Sequence, residues 1–386
     1  MNTNLKQDYY SGRGNKSKTE KWRNLPNNNP DDLTHPRGYL APSGLASAVN
    51  TALELGMPLL LTGEPGCGKS QLAYSLAWEL DFPCGPDDPW SKPLCFTVKS
   101  DTLGRDLFYN FDTLGRFRAA RIEKENADAQ QYLRFEALGL AILRTLGSET
   151  IKNLGLASCL QGLPLEPQRS VVLIDEIDKA PREVPNDILN EIERMSFDIP
   201  EMFVPGKPRT TVSLQSNKEQ SDASLMRPVV IITSNREREL PEAFLRRCVY
   251  YHLDLPPFRA AKDQTTKTSL DNGVTIESII EKRLNITIEQ EQQTNHAEKS
   301  IWSDGVSLFQ YLRNEVQLQK PPSTAELLNW MQFLHRRCKN QSMPTLAEQE
   351  TKDLFLSSAS VTLFKHKEDQ SRAEQLIEDW LIRPAS

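Results

Sequence analysis

Residues 63–70, with the sequence GEPGCGKS, constrain the fold of this chain more than any other segment. They fit the pattern G-x-x-x-x-G-K-[ST], follow the apolar run 58–62, and open a helix predicted over residues 69–80. Glycines in this pattern let backbone N–H groups surround phosphate oxygens, and the positive end of the helix adds to that attraction. The segment therefore predicts a phosphate-binding loop between a buried strand and a helix.

A second motif is the apolar strand predicted at residues 171–174, which ends in two carboxylates, Asp175 and Glu176. At this position we expect Asp175 to hold Mg²⁺ through water and Glu176 to act as a general base on an attacking water molecule. Lys69 would neutralise β- and γ-phosphate oxygens, and Ser70 would ligate the Mg²⁺. The adjacent glutamate favours a nucleotide hydrolase over most small-molecule kinases of the P-loop type.

A third apolar strand, predicted at residues 229–232, is followed by polar residues up to Asn235. Asn235 is either an ordinary turn residue or the side chain that holds the lytic water near a γ-phosphate. Downstream, Arg246 and Arg247 are either exposed cations at a helix end, or one of them reaches a neighbouring subunit's γ-phosphate as an arginine finger.

Buried strands alternate with helices through the first two thirds of the chain. This alternation predicts an α/β fold with a parallel sheet and helices on both faces. The predicted strands are 58–62, 94–98, 171–174 and 229–232, and the predicted longer helices are 69–80, 132–146 and 184–195. A further helical pattern begins near Pro42.

The character of the sequence changes after residue 257. We predict a polar tail at 1–36, an α/β core at 37–257 and a smaller helical domain at 258–386. The helices predicted in the last domain are 276–284, 306–316, 325–337, 354–364 and 372–382. Hydrophobic residues make up only 38% of the chain, which we attribute to solvated segments at 1–36, 215–224 and 258–300.

Composition argues against several classes of protein. The 46 basic and 52 acidic residues leave a net charge of −6, unlike the basic surface typical of a nucleic-acid binder. No stretch approaches the eighteen apolar residues of a membrane span, and residues 1–30 lack the apolar region of a signal peptide. The six cysteines are far apart, which argues against a zinc site and a disulfide framework. We therefore expect a cytoplasmic protein.

The first 30 residues carry six basic and two acidic residues. A segment of this composition, without hydrophobic periodicity, is typical of a disordered tail, and the alternative is an arm that binds a partner.

Five motifs in this order resemble the AAA+ ATPases and, among them, the MoxR-like group. They read LLLTGEPGCGKS, SDTLGRDLFYNFDTLGRF, VVLIDEIDKAP, VVIITSN and LPEAFLRRC. The resemblance implies that ATP and Mg²⁺ are bound and that Asp175 and Glu176 form the Walker B motif, with Ser70 and Asp175 at the metal. It also makes Asn235 the sensor 1 residue and Arg247 the arginine finger, with Arg246 beside it. The implied nucleotide-binding residues are Gly63, Glu64, Pro65, Gly66, Cys67, Gly68, Lys69, Ser70 and Gln71.

Proteins of this group typically form hexameric rings that remodel or activate partners, often partners with a von Willebrand factor A domain. Two insertions also resemble the group. Residues 101–130 resemble its helix-2 insert, in which the repeated Leu-Gly-Arg at 103–105 and 114–116 is either a sign of the two arms of a hairpin or a chance repetition. Residues 196–228 lie where the group has a hairpin before sensor 1.

The chain departs from the group at the start of one predicted helix. Many MoxR-like proteins carry a sensor 2 arginine there, whereas this chain has Ser323-x-x-Glu326, which predicts a helix capping box. Lys320 is a candidate replacement for the arginine. Without that contact, ATP hydrolysis is expected to be slow unless another residue substitutes.

Three hypotheses about function follow. The first is a ring-forming ATPase that remodels a partner protein. The second is a nucleotide-controlled switch or scaffold with rare turnover, in a signalling or defence assembly. The third is a nucleic-acid motor or loader, which the acidic balance of the chain disfavours.

Overall fold

The computed structural model describes most of the chain. The described residues are 35–83, 90–122, 128–160, 163, 166–203, 205–206, 208–214, 226–259, 273–288, 300–338 and 344–383. They form two compact units. The first unit contains residues 43–64 and 69–254, and the second contains the described residues within 1–42, 65–68 and 255–386.

The centre of the first unit is a parallel sheet, in which five strands of the described residues pair in the order β2-β5-β8-β1-β9. These strands are β1 (Leu59–Gly63), β2 (Leu94–Thr97), β5 (Val171–Asp175), β8 (Val229–Ser234) and β9 (Val249–Leu253). The residues of β1 are buried throughout, and β5 and β8 are buried except at one end. Strands buried along their whole length have both faces of the sheet covered, as the run of apolar residues in each of them predicts.

Strand register places the motif-bearing ends side by side. Leu59 aligns with Ile231 of β8, and Val171 aligns with Val229 of the same strand. The carboxyl ends of β1, β5 and β8 therefore meet at one edge of the sheet. Open α/β sheets bind ligands at this edge.

Helices cover the sheet and connect its strands. They are α1 (Ser43–Leu55), α2 (Lys69–Glu79), α3 (Thr113–Ile122), α4 (Ala137–Arg144), α5 (Ser148–Asn153), α6 (Val184–Asp187), α7 (Leu189–Arg194) and α8 (Glu242–Leu245). The prediction of an α/β core with a parallel sheet is confirmed.

Two of the predicted long helices are wrong in detail. Residues 132–146 do not form one helix, because Leu133–Phe135 is strand β4, and α4 begins only at Ala137. The helix predicted over 184–195 is broken at Ile188, whose backbone (φ −90°, ψ −2°) caps both α6 and α7. Strand β9 was not predicted at all, although its sequence VYYHL is rich in strand-favouring residues.

A small antiparallel pair lies within the first insertion. Strand β3 (Tyr109–Phe111) pairs with β4, so that Tyr109 aligns with Phe135. The expectation that the two Leu-Gly-Arg repeats form the hairpin arms is wrong: the first lies at the 3₁₀ turn Gly104–Leu107 and the second lies in α3. Cross-strand pairing of the apolar residues around Tyr109 and Phe135 decides the arms, so the second arm lies beyond residue 130.

A second antiparallel pair lies in the segment before β8. Strand β6 (Ser196–Asp198) pairs with β7 (Thr211–Ser213) in an antiparallel arrangement. Phe197 of β6 packs against three aromatic rings of the first insertion, with ring centroids 5.1–6.2 Å apart: Phe108, Tyr109 and Phe135. The two insertions therefore share one aromatic cluster.

In the second unit, the described residues from 276 onwards are mainly helical. Its helices are α9 (Ile276–Leu284), α10 (Ile301–Asn314), α11 (Thr324–Arg337), α12 (Gln349–Leu363), α13 (Lys367–Ser371) and α14 (Ala373–Ile382). Trp330 lies fully buried at the centre of this unit. Its indole N–H donates to Ser358 Oγ at 2.9 Å, and its ring meets the edge of Phe355. The predicted small helical domain is confirmed.

Three sequence expectations fall wholly or partly outside the described residues. These concern most of the tail at 1–36, the segment 215–224 and parts of 258–300. Among the helices of the described residues, none has the length and apolar character that a membrane crossing requires.

Candidate functional site

The loop formed by residues 63–70 connects β1 to α2 and adopts a backbone that suits glycine. Gly63, Gly66 and Gly68 have φ angles of 151°, 80° and 96°. Side chains strongly disfavour positive φ, so glycines allow this winding at low cost. The winding is that of a loop whose N–H groups gather around an anion at the start of a helix.

Lys69 is the first residue of α2, and its side chain is buried. Its ammonium donates to the carbonyl oxygens of Gly63 at 2.8 Å and Glu64 at 2.9 Å. The cation is therefore held against the loop itself. The tip of the loop, at Pro65 and Gly66, is exposed to solvent, and Gln71 is half-buried.

The first carboxylate of the second motif lies directly beside this loop. Ser70 Oγ donates to Asp175 Oδ1 at 2.7 Å, and Thr233 Oγ1 donates to the same oxygen at 2.5 Å. These three residues come from α2, β5 and β8, and they meet because β8 lies between β1 and β5 in the sheet.

A hydroxyl and a carboxylate at this distance suit Mg²⁺, a hard cation that prefers oxygen ligands and commonly takes one or two protein ligands together with phosphate oxygens. No group of three or more His, Cys, Asp or Glu side chains suited to a metal ion occurs among the described residues. The residues present thus fit a metal that is bound together with a phosphate, with Ser70 and Asp175 as its protein ligands and Lys69 as a neighbouring cation.

The second carboxylate, Glu176, has a left-handed backbone conformation (φ 61°, ψ 51°) at the end of β5. Its N–H donates to Thr233 Oγ1 at 2.9 Å. Both of its carboxylate oxygens have donors: Asn235 Nδ2 lies 3.1 Å from Oε1, and Lys179 Nζ lies 2.5 Å from Oε2. Conformations of this kind cost energy in residues other than glycine and concentrate at functional sites.

A buried aspartate joins the segments that carry these side chains. Asp178 is only 2% exposed. Its carboxylate accepts the backbone N–H of Asn235 at 3.1 Å and that of Glu237 at 2.8 Å. Because Asp178 lies in the 3₁₀ turn Ile177–Lys179, the turn after β5 and the loop after β8 are fixed to one another.

Sequence reasoning missed three residues of this arrangement: Thr233, Asp178 and Lys179. A hydroxyl directly after the apolar run at the start of β8 is a weak signal for Thr233. Asp178 and Lys179 stand out in the sequence as a charged pair within DEIDK. The residues that they contact, however, depend on the packing of β5 beside β8.

The two candidate arginines lie elsewhere on the first unit. Arg246 pairs with Glu242 one helical turn away, and its side chain is 75% exposed. Arg247 Nε lies 3.3 Å from Glu193 Oε2, and Arg247 Nη1 donates to the carbonyl of Ala243 at 3.2 Å. No contact of the described residues joins either arginine to Lys69, Ser70 or Asp175 of the same chain.

In the second unit, the capping box predicted at the start of α11 is present. Ser323 Oγ accepts the N–H of Glu326, and the Glu326 carboxylate accepts the N–H of Ser323 at 2.7 Å. The buried carboxylate of Asp369 accepts the backbone N–H groups of Gln319 and Lys320, both at 3.1 Å. The chain leading into α11 is therefore anchored through its backbone.

Residues 58–248 match the family model described as the AAA domain (dynein-related subfamily), a span of just under half of the chain. A search of curated proteins gives no significant match. Among solved structures, the chain is similar to one described as a closed-state cryo-EM reconstruction of Hsp104 with ATPγS and FITC casein. The TM-score is 0.35 with 15% identity, over 82% of this chain and about half (48%) of that one, so the likeness is too distant to carry an argument.

The family match spans the strands that form the edge at which Lys69, Ser70, Asp175, Glu176 and Asn235 lie. Residues 58–248 therefore match an AAA domain, and their parallel sheet has the P-loop fold of the AAA+ ATPases.

Proposed function

We propose that the protein binds ATP with Mg²⁺ at the loop 63–70 and hydrolyses it. The observation that carries this proposal is the pair of hydrogen bonds that Asp175 Oδ1 accepts from Ser70 and Thr233. They bring the end of β5 to the start of α2, where a phosphate and its metal would lie. The Mg²⁺ would neutralise phosphate charge, while the glycines and Lys69 hold the phosphate oxygens.

In this proposal, Glu176 is the general base and Asn235 positions its carboxylate. Water attacks the γ-phosphorus, its proton passes to Glu176, and ADP leaves with its electron pair. The 3.1 Å contact between Asn235 Nδ2 and Glu176 Oε1 supports a joint role of the two side chains. The anchoring of their segments through Asp178 supports it too, because a base must be held at a defined position to act on water.

The finer assignment is that the protein belongs to the MoxR-like group and works as a hexameric ring. Arg247, with Arg246 beside it, would then act at the ATP site of the neighbouring subunit. Both side chains are exposed. Among the described residues, neither arginine contacts Ser70 or Asp175 of its own chain. These two observations support action in trans. Arginine fingers raise hydrolysis rates by about 10³–10⁵-fold where they have been measured in GTPases.

The ring would use hydrolysis to remodel or activate a partner protein in the cytoplasm, with a von Willebrand factor A protein as the first candidate. The two insertions that share the Phe197 cluster are the proposed contact surfaces. A nucleic-acid partner remains disfavoured by the net charge of −6.

ATP turnover and binding of the full chain test the proposal. Lys69→Ala should abolish ATP binding, because it removes the cation held against the loop. Glu176→Gln should retain binding and lose about 10²–10⁴-fold in turnover, because the amide cannot accept the proton. Lys152→Ala, at an exposed lysine of α5, is the matched control and should behave as the parent protein. Normal turnover in Glu176→Gln would refute the assignment.

The second candidate function is a nucleotide switch with rare turnover. It is favoured by the capping box of Ser323 and Glu326, which lies where the MoxR-like group would place its sensor 2 arginine. Measured turnover separates the two: a switch would retain bound nucleotide over many minutes with or without candidate partners, whereas a remodeller would accelerate when its partner is present.

A further inference from the structure

Lys179 is one of the residues around Glu176 whose side chain reaches solvent. Its side chain is 39% exposed, whereas Asp178, one residue earlier in the same turn, is almost fully buried. Asp178 accepts two backbone N–H groups from the loop after β8, so the turn keeps its place without Lys179. The lysine ammonium can therefore leave Glu176 without disturbing the turn that carries it.

The contact that Lys179 makes is short and directed at the proposed base. Its Nζ lies 2.5 Å from Glu176 Oε2, in an i,i+3 ion pair within the turn. The hydrogen bond to Glu176 raises the pKa of the Lys179 ammonium, so the lysine is charged at neutral pH. Asn235 occupies the other oxygen. Glu176 thus has a donor on each oxygen.

This arrangement is unfavourable for proton transfer from water. An ammonium group has three donors and no acceptor, so it competes with a water O–H for the lone pairs of Oε2. The Asn235 amide faces Oε1 and leaves Oε2 open once the ammonium is absent. The left-handed backbone of Glu176, fixed by its N–H bond to Thr233, keeps the carboxylate within reach of Lys179.

We propose that Lys179 is a positioning residue that holds Glu176 in a resting position, and that release of this ion pair makes Glu176 available to water. The inference rests on the proposed ATPase function and describes how that activity is restrained. An exposed ion pair of this kind contributes little to folding, so its role is better sought in the position of the carboxylate than in stability.

Replacement of Lys179 tests the restraint in the full chain. Lys179→Met keeps the length of the side chain and removes its charge, so kcat at saturating Mg-ATP should rise about 3–10-fold with KM unchanged. Lys179→Gln is a second neutral variant, and it should raise kcat in the same direction. Lys179→Arg retains a charged donor and should stay nearer to the parent protein than to Lys179→Met. Lys152→Met is the matched control for loss of an exposed lysine.

Two background variants make the outcomes distinguishable. The gain should vanish in Lys179→Met combined with Glu176→Gln, because the restraint acts through that carboxylate. If the parent protein hydrolyses ATP faster than Lys69→Ala but both neutral variants equal or fall below the parent, the restraint is refuted and the ATPase assignment stands. If the parent and the neutral variants all turn over no faster than Lys69→Ala, both are refuted.

Discussion

Thr233 connects the two carboxylates of the site, and its replacement gives a prediction about the stability of the first unit. The side chain is 1% exposed. Its hydroxyl donates to Asp175 Oδ1 and accepts the N–H of Glu176. Thr233→Val keeps the branched shape but removes both hydrogen bonds, so no cavity complicates the interpretation.

The expected loss follows from the two bonds. A hydrogen bond to a charged group contributes about 1.5–3 kcal/mol, and an amide left without its acceptor costs about 1 kcal/mol in this half-buried setting. The additional methyl group of valine recovers up to about 1 kcal/mol. The free energy of unfolding should therefore fall by about 1.5–4 kcal/mol. For a unit of this size, that corresponds to a decrease in Tm of roughly 3–16 °C.

Differential scanning calorimetry of the full chain measures this decrease. Thr233→Ser retains the hydroxyl and loses a buried methyl group, so it should cost only about 1 kcal/mol. Thr51→Val is the matched control: Thr51 is exposed on α1 and donates to the carbonyl of Ser47 one turn earlier. It should change stability by less than about 0.5 kcal/mol. A Tm for Thr233→Val within 2 °C of the parent, or above that of Thr233→Ser, would refute the reasoning.

Two further predictions concern the neighbouring subunit and the first insertion. If the protein works as the proposed ring, Lys69→Ala and Arg247→Ala should each be inactive alone, but a 1:1 mixture should regain about a quarter of the parent ATP turnover, because intact ATP sites then meet intact fingers at about one interface in four. Failure to regain any turnover in mixed rings, verified by tagged subunits, would contradict action in trans. Gly139→Ala should lower the free energy of unfolding by about 1–3 kcal/mol, since a Cβ there would lie 2.0 Å from the carbonyl oxygen of Phe108 in a buried part of α4. Calorimetry checks this, and unchanged stability would show that α4 can move away from Phe108.

The capping box at α11 and the winding of the loop 63–70 were predictable because both are local. Ser323 and Glu326 satisfy each other's backbone N–H groups within one helical turn. Positive φ angles at Gly66 and Gly68 depend on the lack of a side chain at those positions. The buried strands β1, β5 and β8 were predictable for a similar reason, since each is a short continuous run of apolar residues.

The arms of the hairpin in the first insertion were not predictable in this way. The Leu-Gly-Arg repeats looked like arms, yet the second repeat continues as helix α3, and Leu133–Phe135, predicted as helix, forms strand β4. Short apolar segments are compatible with either helix or strand, so their partners decide between the two. Here the partners are Tyr109–Phe111 and the ring of Phe197.

The amino-acid sequence by itself determined where the glycine-rich loop 63–70 and the two carboxylates lie along the chain, because glycine conformation and apolar strands are properties of neighbouring residues. Only the tertiary structure decided which side chains meet them. The strand order β2-β5-β8-β1-β9 brings Thr233 to Asp175 and Asn235 to Glu176 across almost sixty residues of chain. Contacts of that kind depend on strand pairing, which is a long-range property that no local pattern contains.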